Sequence, residues 1–120
     1  MPEPTVLVIE DEQDVRNLLA HYFQGFGCVV RTADTGEEGM TLATDDPPDL
    51  VVLDVRLPGV DGRQVARLLR ADPRTQAIRL VITSVLDQED LADIDADGIL
   101  AKPFRRDDVR LLVDALQGKG

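Results

Sequence analysis

Apolar and polar positions follow two different spacings along this chain. Short continuous apolar runs, bounded by charged or turn residues, are typical of strands that are buried on both faces of a parallel sheet. Between these runs, apolar residues recur three and four positions apart, which predicts amphipathic helices. The runs predict five strands, at Val6–Ile9, about Cys28–Ala33, Leu50–Asp54, about Leu80–Ser84 and Gly98–Ala101.

Local signals place the first three helices between these strands. The first helix shows helical apolar spacing from Val15 onward. The second begins at a capping box, Thr35-Gly-Glu-Glu38. The third follows Gly62 and ends at Asp72-Pro73, because the residue before a proline disfavours helical dihedral angles.

Two further helices complete the series. Asp87 is a candidate cap for a short fourth helix with Leu91 and Ile94 on its inner face. The last helix has an apolar face formed by Val109, Leu112, Val113 and Leu116. The resulting (βα)5 order predicts an α/β fold with a doubly wound five-stranded parallel sheet, since parallel neighbours need right-handed crossovers. At this size we expect the flavodoxin-like strand order 2-1-3-4-5.

Composition narrows the class of protein. The chain has 120 residues, of which 43% are hydrophobic, so we expect residues 1–120 to form one domain. Cys28 is the only cysteine, which suits a reducing compartment, and no apolar run approaches the roughly 20 residues of a membrane span. We therefore expect a soluble cytoplasmic protein. The formal net charge of -10 repels nucleic acids and anionic lipids, so direct binding to nucleic acid or membrane is not expected.

Polar side chains gather at one edge of the predicted sheet. The expected order places the first and third strands side by side, so Glu10, Asp11 and Asp54 meet at their carboxyl ends. Alone, Asp54 could equally be a turn or cap carboxylate. Three converging carboxylates, however, form the kind of oxygen site that Mg²⁺ prefers. A bound metal ion would relieve the repulsion between the carboxylates and leave Asp54 ionised and available as a nucleophile.

The fourth and fifth strands end at the same edge. They bring a hydroxyl from Thr83 or Ser84, together with the ammonium group of Lys102. The ammonium group of a lysine can pair with one phosphoryl oxygen as a point charge, and a hydroxyl group can donate a hydrogen bond to another phosphoryl oxygen. Each feature alone is weak, but together they indicate an acyl-phosphate site.

Over essentially its whole length the sequence resembles the receiver domain of two-component response regulators. The features that carry the resemblance are Glu10-Asp11, the segment Asp54-Val-Arg-Leu-Pro-Gly-Val-Asp-Gly62, and Lys102-Pro103-Phe104. The resemblance implies that Asp54 accepts a phosphoryl group from a histidine kinase or phosphotransfer protein and that partner binding then changes. It also implies that the chain is not an enzyme beyond its own phosphoryl transfer and autodephosphorylation.

The resemblance assigns further roles. Asp11, Asp54 and the backbone carbonyl of Arg56 would bind Mg²⁺ directly, and Glu10 would hold the metal through water. Lys102 would contact the phosphoryl group, and the Lys102-Pro103 peptide bond would be cis. The Arg56 side chain lies two residues after Asp54, which suggests an influence on phosphoryl lifetime.

Three departures from the family pattern bear on signalling. The switch hydroxyl is either Ser84, which we favour, or Thr83; side-chain alternation means that both cannot face the site. Ile99 stands where the family often has an aromatic residue. The segment from Ser84 to Lys102 is short by about one helical turn, so we expect a shortened fourth helix. That helix helps form the family's output and dimer surface, which leaves a homodimer possible.

Several other residues receive structural interpretations. Asp61 is expected to cap the third helix, and Asp107 or Asp108 to serve the start of the last helix in place of Arg105. His21 is expected at the surface and Cys28 in the core.

Three other functions compete with the leading one. A phosphohydrolase of the haloacid dehalogenase type would need a second aspartate where Arg56 stands. A nucleotide-binding domain would need a glycine-rich loop where Glu10-Asp-Glu12 stands. A receiver-like module that binds partners without phosphorylation is the main alternative, because the segment after the fourth strand is altered. The sequence leaves open whether the protein acts alone or is part of a longer one.

Overall fold

The computed structural model describes residues 3–85 and 91–118, and within them five strands alternate with four helices. The elements are β1 Thr5–Ile9, α1 Gln13–Gly25, β2 Val29–Ala33, α2 Gly36–Asp45, β3 Leu50–Asp54, α3 Gly62–Ala71, β4 Arg79–Val85, β5 Gly98–Lys102 and α4 Arg106–Leu116. No helix among these residues is both long and apolar enough to cross a membrane.

The sheet confirms the predicted fold class. All neighbouring strands are parallel and their order is β2-β1-β3-β4-β5. Every residue of β3 is buried, as expected for a continuous apolar run in the middle of a sheet covered on both faces. The predicted strand bounds are reproduced to within one residue at each end.

Alternation along the strands divides the interior into two cores. Leu7, Ile9, Val51 and Leu53 pack beneath α2 and α3, in what we term the α2/α3 core. The residues between them, such as Val8 and Val52, pack beneath α1 and α4 in the α1/α4 core. Cys28 lies in the second of these as a small buried residue, while His21 is exposed; both placements were predicted.

The predicted helix caps are present. The Glu38 backbone N–H donates to Thr35 Oγ1 at 3.1 Å, and the Gln64 N–H donates to Asp61 Oδ1 at 3.1 Å. At the start of α4, Asp108 Oδ2 accepts the Arg105 backbone N–H at 2.8 Å, so the aspartate satisfies the helix end, as predicted. Each contact gives a hydrogen-bond acceptor to a backbone N–H group at a helix start, where the helix itself provides none.

Residues 91–97, which precede β5, depart from the predicted fourth helix. The proposed cap, Asp87, lies outside the described residues. Residues 91–97 form turns rather than a helix, which corrects that part of the prediction. Leu91 and Ile94 nevertheless pack against the α2/α3 core, so their predicted inward orientation is right.

Hydrogen bonds explain why residues 91–97 are stable without helical structure. Arg70 on α3 donates from Nε to the Asp95 carbonyl oxygen at 2.9 Å and from Nη2 to Asp97 Oδ2 at 3.0 Å. Asp97 Oδ2 also accepts the Leu80 N–H at 2.8 Å, and the Asp97 N–H donates to the Leu80 carbonyl oxygen at 2.7 Å. The Arg70 side chain and the backbone of β4 therefore supply partners for the Asp95 carbonyl oxygen and the Asp97 N–H, backbone groups that a helix would satisfy internally.

Gly62 sets the distance between α3 and the end of β3. A Cβ atom at this position would lie 2.7 Å from Val55 Cα and closer still to the Asp54 carbonyl oxygen. The Gly62 N–H donates to the Val55 carbonyl oxygen at 3.1 Å. Only a residue without a side chain allows this approach, which holds the first turn of α3 against the strand end that carries Asp54.

Candidate functional site

The three acidic residues that the sequence singled out do converge. One carboxylate oxygen from each of Glu10, Asp11 and Asp54 lies within 4.8 Å of the others. Glu10 follows the last β1–β3 pair, Ile9 with Leu53, and therefore neighbours Asp54 at the end of β3. Glu10 and Asp54 are buried while Asp11 is exposed. Oxygen donors at this spacing fit a hard divalent cation such as Mg²⁺.

Glu10 is almost completely buried, with 1% of its surface exposed. Its Oε2 accepts the Glu12 backbone N–H and its Oε1 accepts Lys102 Nζ, both at 3.0 Å. Burial raises the pKa of Glu10 to about 7, and the nearby Asp54 charge acts in the same direction. The salt bridge to Lys102 acts in the opposite direction but is outweighed by burial.

Both carboxylate oxygens of Asp54 have hydrogen-bond donors. Oδ1 accepts the Arg56 backbone N–H at 2.9 Å, and Oδ2 accepts Lys102 Nζ at 3.2 Å. The Arg56 contact forms because the chain turns sharply after β3, which brings its amide back toward the strand end. A carboxylate held from two sides has a defined orientation, as a nucleophile requires.

Lys102 reaches the carboxylates from two strands away. Its Cα pairs with Val85 on β4, and β4 separates β5 from β3, so the side chain crosses β4 to contact Asp54. Burial acts to lower the pKa of Lys102, but the hydrogen bonds and charges of Glu10 and Asp54 raise it overall. The lysine therefore stays charged. The Lys102–Pro103 peptide bond is cis, as the resemblance implied.

An open cleft of about 440 Å³ lies beside the carboxylates. Asp11 borders it on the β1 side, and Arg56 borders it on the β3 side; its other lining residues are Val55, Leu57, Pro58, Asp61 and Arg63. The cleft gives solvent access to the exposed member of the acidic cluster.

The two candidate hydroxyls lie on opposite faces of β4. Val81 belongs to the α1/α4 core and Ile82 to the α2/α3 core, so alternation places Thr83 toward the former and Ser84 toward the latter. Asp54, two residues after Val52, lies on the Thr83 face. The Ser84 Oγ donates to the Val85 carbonyl oxygen at 3.3 Å. Which hydroxyl acts as the switch stays a prediction.

Sequence reasoning missed Arg16. From the first turns of α1, its Nη1 donates to the carbonyl oxygens of Glu10 at 3.0 Å and Asp11 at 3.4 Å. These contacts fix the loop that presents the acidic pair. The sequence did contain a signal for this contact: Arg16 lies about one helical turn into the helix that follows the three acidic residues 10–12.

Comparison with known proteins identifies the family of this chain. The family model of the response regulator receiver domain matches residues 6–114. The chain belongs to this family. The alkaline phosphatase synthesis transcriptional regulatory protein PhoP of Bacillus subtilis is 35% identical over 114 residues, covering 92% of the chain and 47% of PhoP. The chain thus spans about half the length of the curated relatives it matches.

Solved structures show the same fold. Chemotaxis response regulator CheY4 of Vibrio cholerae matches with a TM-score of 0.86 and 21% identity, covering 96% of this chain and 99% of that one. The receiver domain of sensor histidine kinase PA1611 from Pseudomonas aeruginosa matches with a TM-score of 0.89 and 20% identity, covering 98% and 99%. The latter structure has a magnesium ion coordinated in its active-site cleft.

Membership of the receiver family gives the chain a general function. Receiver domains of two-component response regulators are phosphorylated on an aspartate with Mg²⁺, and they interact with histidine kinases or phosphotransfer proteins. Receiver domains bind Mg²⁺ at their acidic site, and the three carboxylates described above form an acidic cluster with the oxygen ligands that such a site uses. The chain is therefore a signalling domain rather than an ordinary enzyme.

Proposed function

We propose that Asp54 is the phosphoacceptor and that residues 1–120 work as a single receiver domain. One observation carries this proposal. Asp54 is the buried member of the acidic cluster that directly precedes the cleft-lining residues Val55 and Arg56, and its Oδ2 lies 3.2 Å from Lys102 Nζ, a lysine that it shares with Glu10. The phosphoacceptor carboxylate, the oxygens proposed to bind the metal ion and the Lys102 ammonium group therefore lie together.

The proposed reaction is a phosphoryl transfer to oxygen. An oxygen of the Asp54 carboxylate attacks the phosphorus of a phosphohistidine on the partner protein. A P–O bond forms, the P–N bond breaks, and the neutral imidazole leaves after taking up a proton. Autodephosphorylation reverses the modification: water attacks phosphorus, the P–O bond breaks, and inorganic phosphate and the Asp54 carboxylate result.

The neighbouring residues would support this reaction by position and charge. Asp11, Asp54 and the Arg56 carbonyl would hold Mg²⁺ directly, with Glu10 behind a water molecule. The bound ion would neutralise carboxylate and phosphoryl oxygens that otherwise repel one another. Lys102 would move from Asp54 to the phosphoryl group, and the Arg56 side chain, which borders the cleft, would influence phosphoryl lifetime.

The output step would be a two-state change. The Ser84 hydroxyl, or Thr83 as the alternative, would turn toward the phosphoryl group and shift the backbone after β4. That shift would reach residues 91–97 and the exposed Ile99 on β5. The phosphoryl group can favour the second state only to the extent that it interacts more strongly with the protein in that state than in the first.

The partners we propose are a histidine kinase or phosphotransfer protein upstream and one output partner downstream. Several curated relatives are transcriptional regulators about twice the length of this chain, so their DNA-binding function belongs to those whole proteins. We expect the protein to act in the cytoplasm, where the buried thiol of Cys28 stays reduced.

Intact-mass measurement after incubation with acetyl phosphate and Mg²⁺ tests the proposal. We expect one added phosphoryl group in the wild type. The adduct should be absent from Asp54→Asn and from samples without Mg²⁺. Asp14→Asn removes a nearby exposed carboxylate outside the cluster and should retain the adduct.

A contrary result would favour the competing function. If the wild type forms neither an adduct nor a complex with beryllofluoride and Mg²⁺, the chain is a receiver-like module that binds partners without phosphorylation. The non-helical segment at residues 91–97 is the structural feature that favours this alternative.

A further inference from the structure

Thr83 carries a buried hydroxyl group without a hydrogen bond. Its residue surface is 1% exposed, and Oγ1 has no partner within residues 3–85 and 91–118. Thr75 provides the contrast, because it is equally buried and donates from Oγ1 to the Leu69 carbonyl oxygen at 2.7 Å. A buried hydroxyl without a hydrogen bond destabilises the folded protein, so a valine at position 83 would suit the unmodified protein better.

The register of the sheet places this hydroxyl beside the phosphoacceptor. Thr83 is the Cα partner of Asp54 on one side and of Leu100 on the other. Side chains of paired residues in neighbouring parallel strands point to the same face. Thr83 and Asp54 therefore stand next to each other on the α1/α4 face, and the Lys102 side chain crosses β4 close to them.

Phosphorylation would change the hydrogen-bond donors that contact the Asp54 carboxyl group. In the unmodified protein its two oxygens accept the Arg56 N–H and the Lys102 ammonium. Acyl phosphate formation removes the carboxylate charge and places several charged oxygens on the phosphoryl group. Lys102 would follow that charge, since an ammonium group pairs more strongly with an anion than with a neutral carbonyl oxygen. The Asp54 carboxyl group would then lack its second donor.

We propose that Thr83 is a positioning residue whose hydroxyl donates to the Asp54 carboxyl group in the phosphorylated state. This inference rests on the proposed function of Asp54. It separates the two hydroxyls of β4: Thr83 holds the acyl carbonyl from within the sheet, while Ser84 is the group that turns toward the phosphoryl oxygens. In the unmodified protein Lys102 Nζ occupies Asp54 Oδ2, and within the described residues the Thr83 hydroxyl has no partner.

Replacing Thr83 with valine tests this role, because valine keeps the β-branched shape and lacks the hydroxyl. We expect Thr83→Val to leave the thermal stability of the unmodified protein unchanged or higher. The same variant should bind beryllofluoride, in the presence of Mg²⁺, about fivefold more weakly than the wild type, as expected for one lost neutral hydrogen bond. Thr83→Ser, which keeps a hydroxyl, should recover most of the affinity.

Thr75→Val is the matched control. It removes a hydroxyl that is already hydrogen-bonded, so it should lower the melting temperature while leaving beryllofluoride affinity unchanged. Wild-type affinity in Thr83→Val would overturn the inference, as would a loss of stability equal to that of Thr75→Val without a change in affinity. An absence of beryllofluoride binding and of a phosphoryl adduct in the wild type would instead overturn the proposed function, and this inference with it.

Discussion

At the scale of single residues, one ammonium group serves two buried carboxylates. Lys102 contacts both Glu10 and Asp54, and each of these is at least 93% buried. Burial, together with the neighbouring Asp54 charge, raises the pKa of Glu10 to about 7, and the single positive charge of Lys102 does not offset this. The site is thus short of positive charge in the absence of a metal ion, which is the condition that favours cation binding.

Arg16 gives a prediction at the same scale. Arg16→Gln should weaken Mg²⁺ binding about three- to tenfold, because two hydrogen bonds that hold the Glu10–Asp11 loop are weakened or lost. A Mg²⁺ titration followed by NMR measures the affinity. Arg110→Gln, which removes an exposed arginine from α4, should retain wild-type affinity. Equal affinities in all three proteins would show that Arg16 does not position the loop.

At the scale of elements, the segment after β4 is attached to α3 and β4 by polar contacts. Asp97 is central, because it accepts from both Leu80 and Arg70 through Oδ2. Burial acts to raise the pKa of Asp97, but the hydrogen bonds from Leu80 and Arg70 outweigh it and hold the pKa below its ordinary value.

This lowered pKa predicts a pH-dependent contribution to stability. The ionised form is favoured in the folded protein, so the contribution is present above the unfolded pKa of 3.8 and is lost as the pH falls through the lower folded value. Asp97→Asn should therefore reduce the free energy of unfolding by about 1 kcal/mol at pH 7, a figure kept small because the side chain is 49% exposed. Urea denaturation across pH 3–7 measures this difference.

The same pH series, measured on Asp95→Asn, provides the control. The difference between Asp97→Asn and wild type should shrink as the pH falls below 3.8. Asp95→Asn should have little effect at any pH, since its carboxylate is 86% exposed and lies 3.8 Å from Arg70. A constant difference between Asp97→Asn and wild type from pH 3 to 7 would contradict the assignment.

At the scale of the whole molecule, net charge and site charge act together. The formal charge of -10 makes any added cation mildly stabilising by screening. A site-bound Mg²⁺ adds a specific term that grows with the ratio of free metal to Kd, by about 2.7 kcal/mol at one hundred times Kd.

Salt-matched melting experiments separate the two effects. MgCl₂ should raise the melting temperature more than NaCl at equal ionic strength. In Asp11→Asn, which lacks the exposed carboxylate of the cluster, the two salts should give nearly the same melting temperature. An equal response of the wild type to both salts would argue against a specific metal site.

The sequence by itself determined the class of fold and the residues of the acidic site. Continuous apolar runs and period-3.6 patterns reflect which side chains are buried, so the five strands, their order and the helices α1, α2, α3 and α4 were predictable. Asp54, Glu10, Asp11 and Lys102 were predictable because strand ends in this topology meet at one edge.

Only the tertiary structure decided features that depend on contacts between distant parts of the chain. Residues 91–97 form turns because Arg70 and Leu80 supply their hydrogen-bond partners. No local sequence pattern predicts those partners. The register between β3 and β4 places Thr83 beside Asp54, which the residues of β4 alone did not reveal, and the choice of Ser84 over Thr83 as the switch hydroxyl stays a prediction. A slip of one residue would exchange the two faces, and that register is set by packing of the whole sheet rather than by the residues of β4 alone.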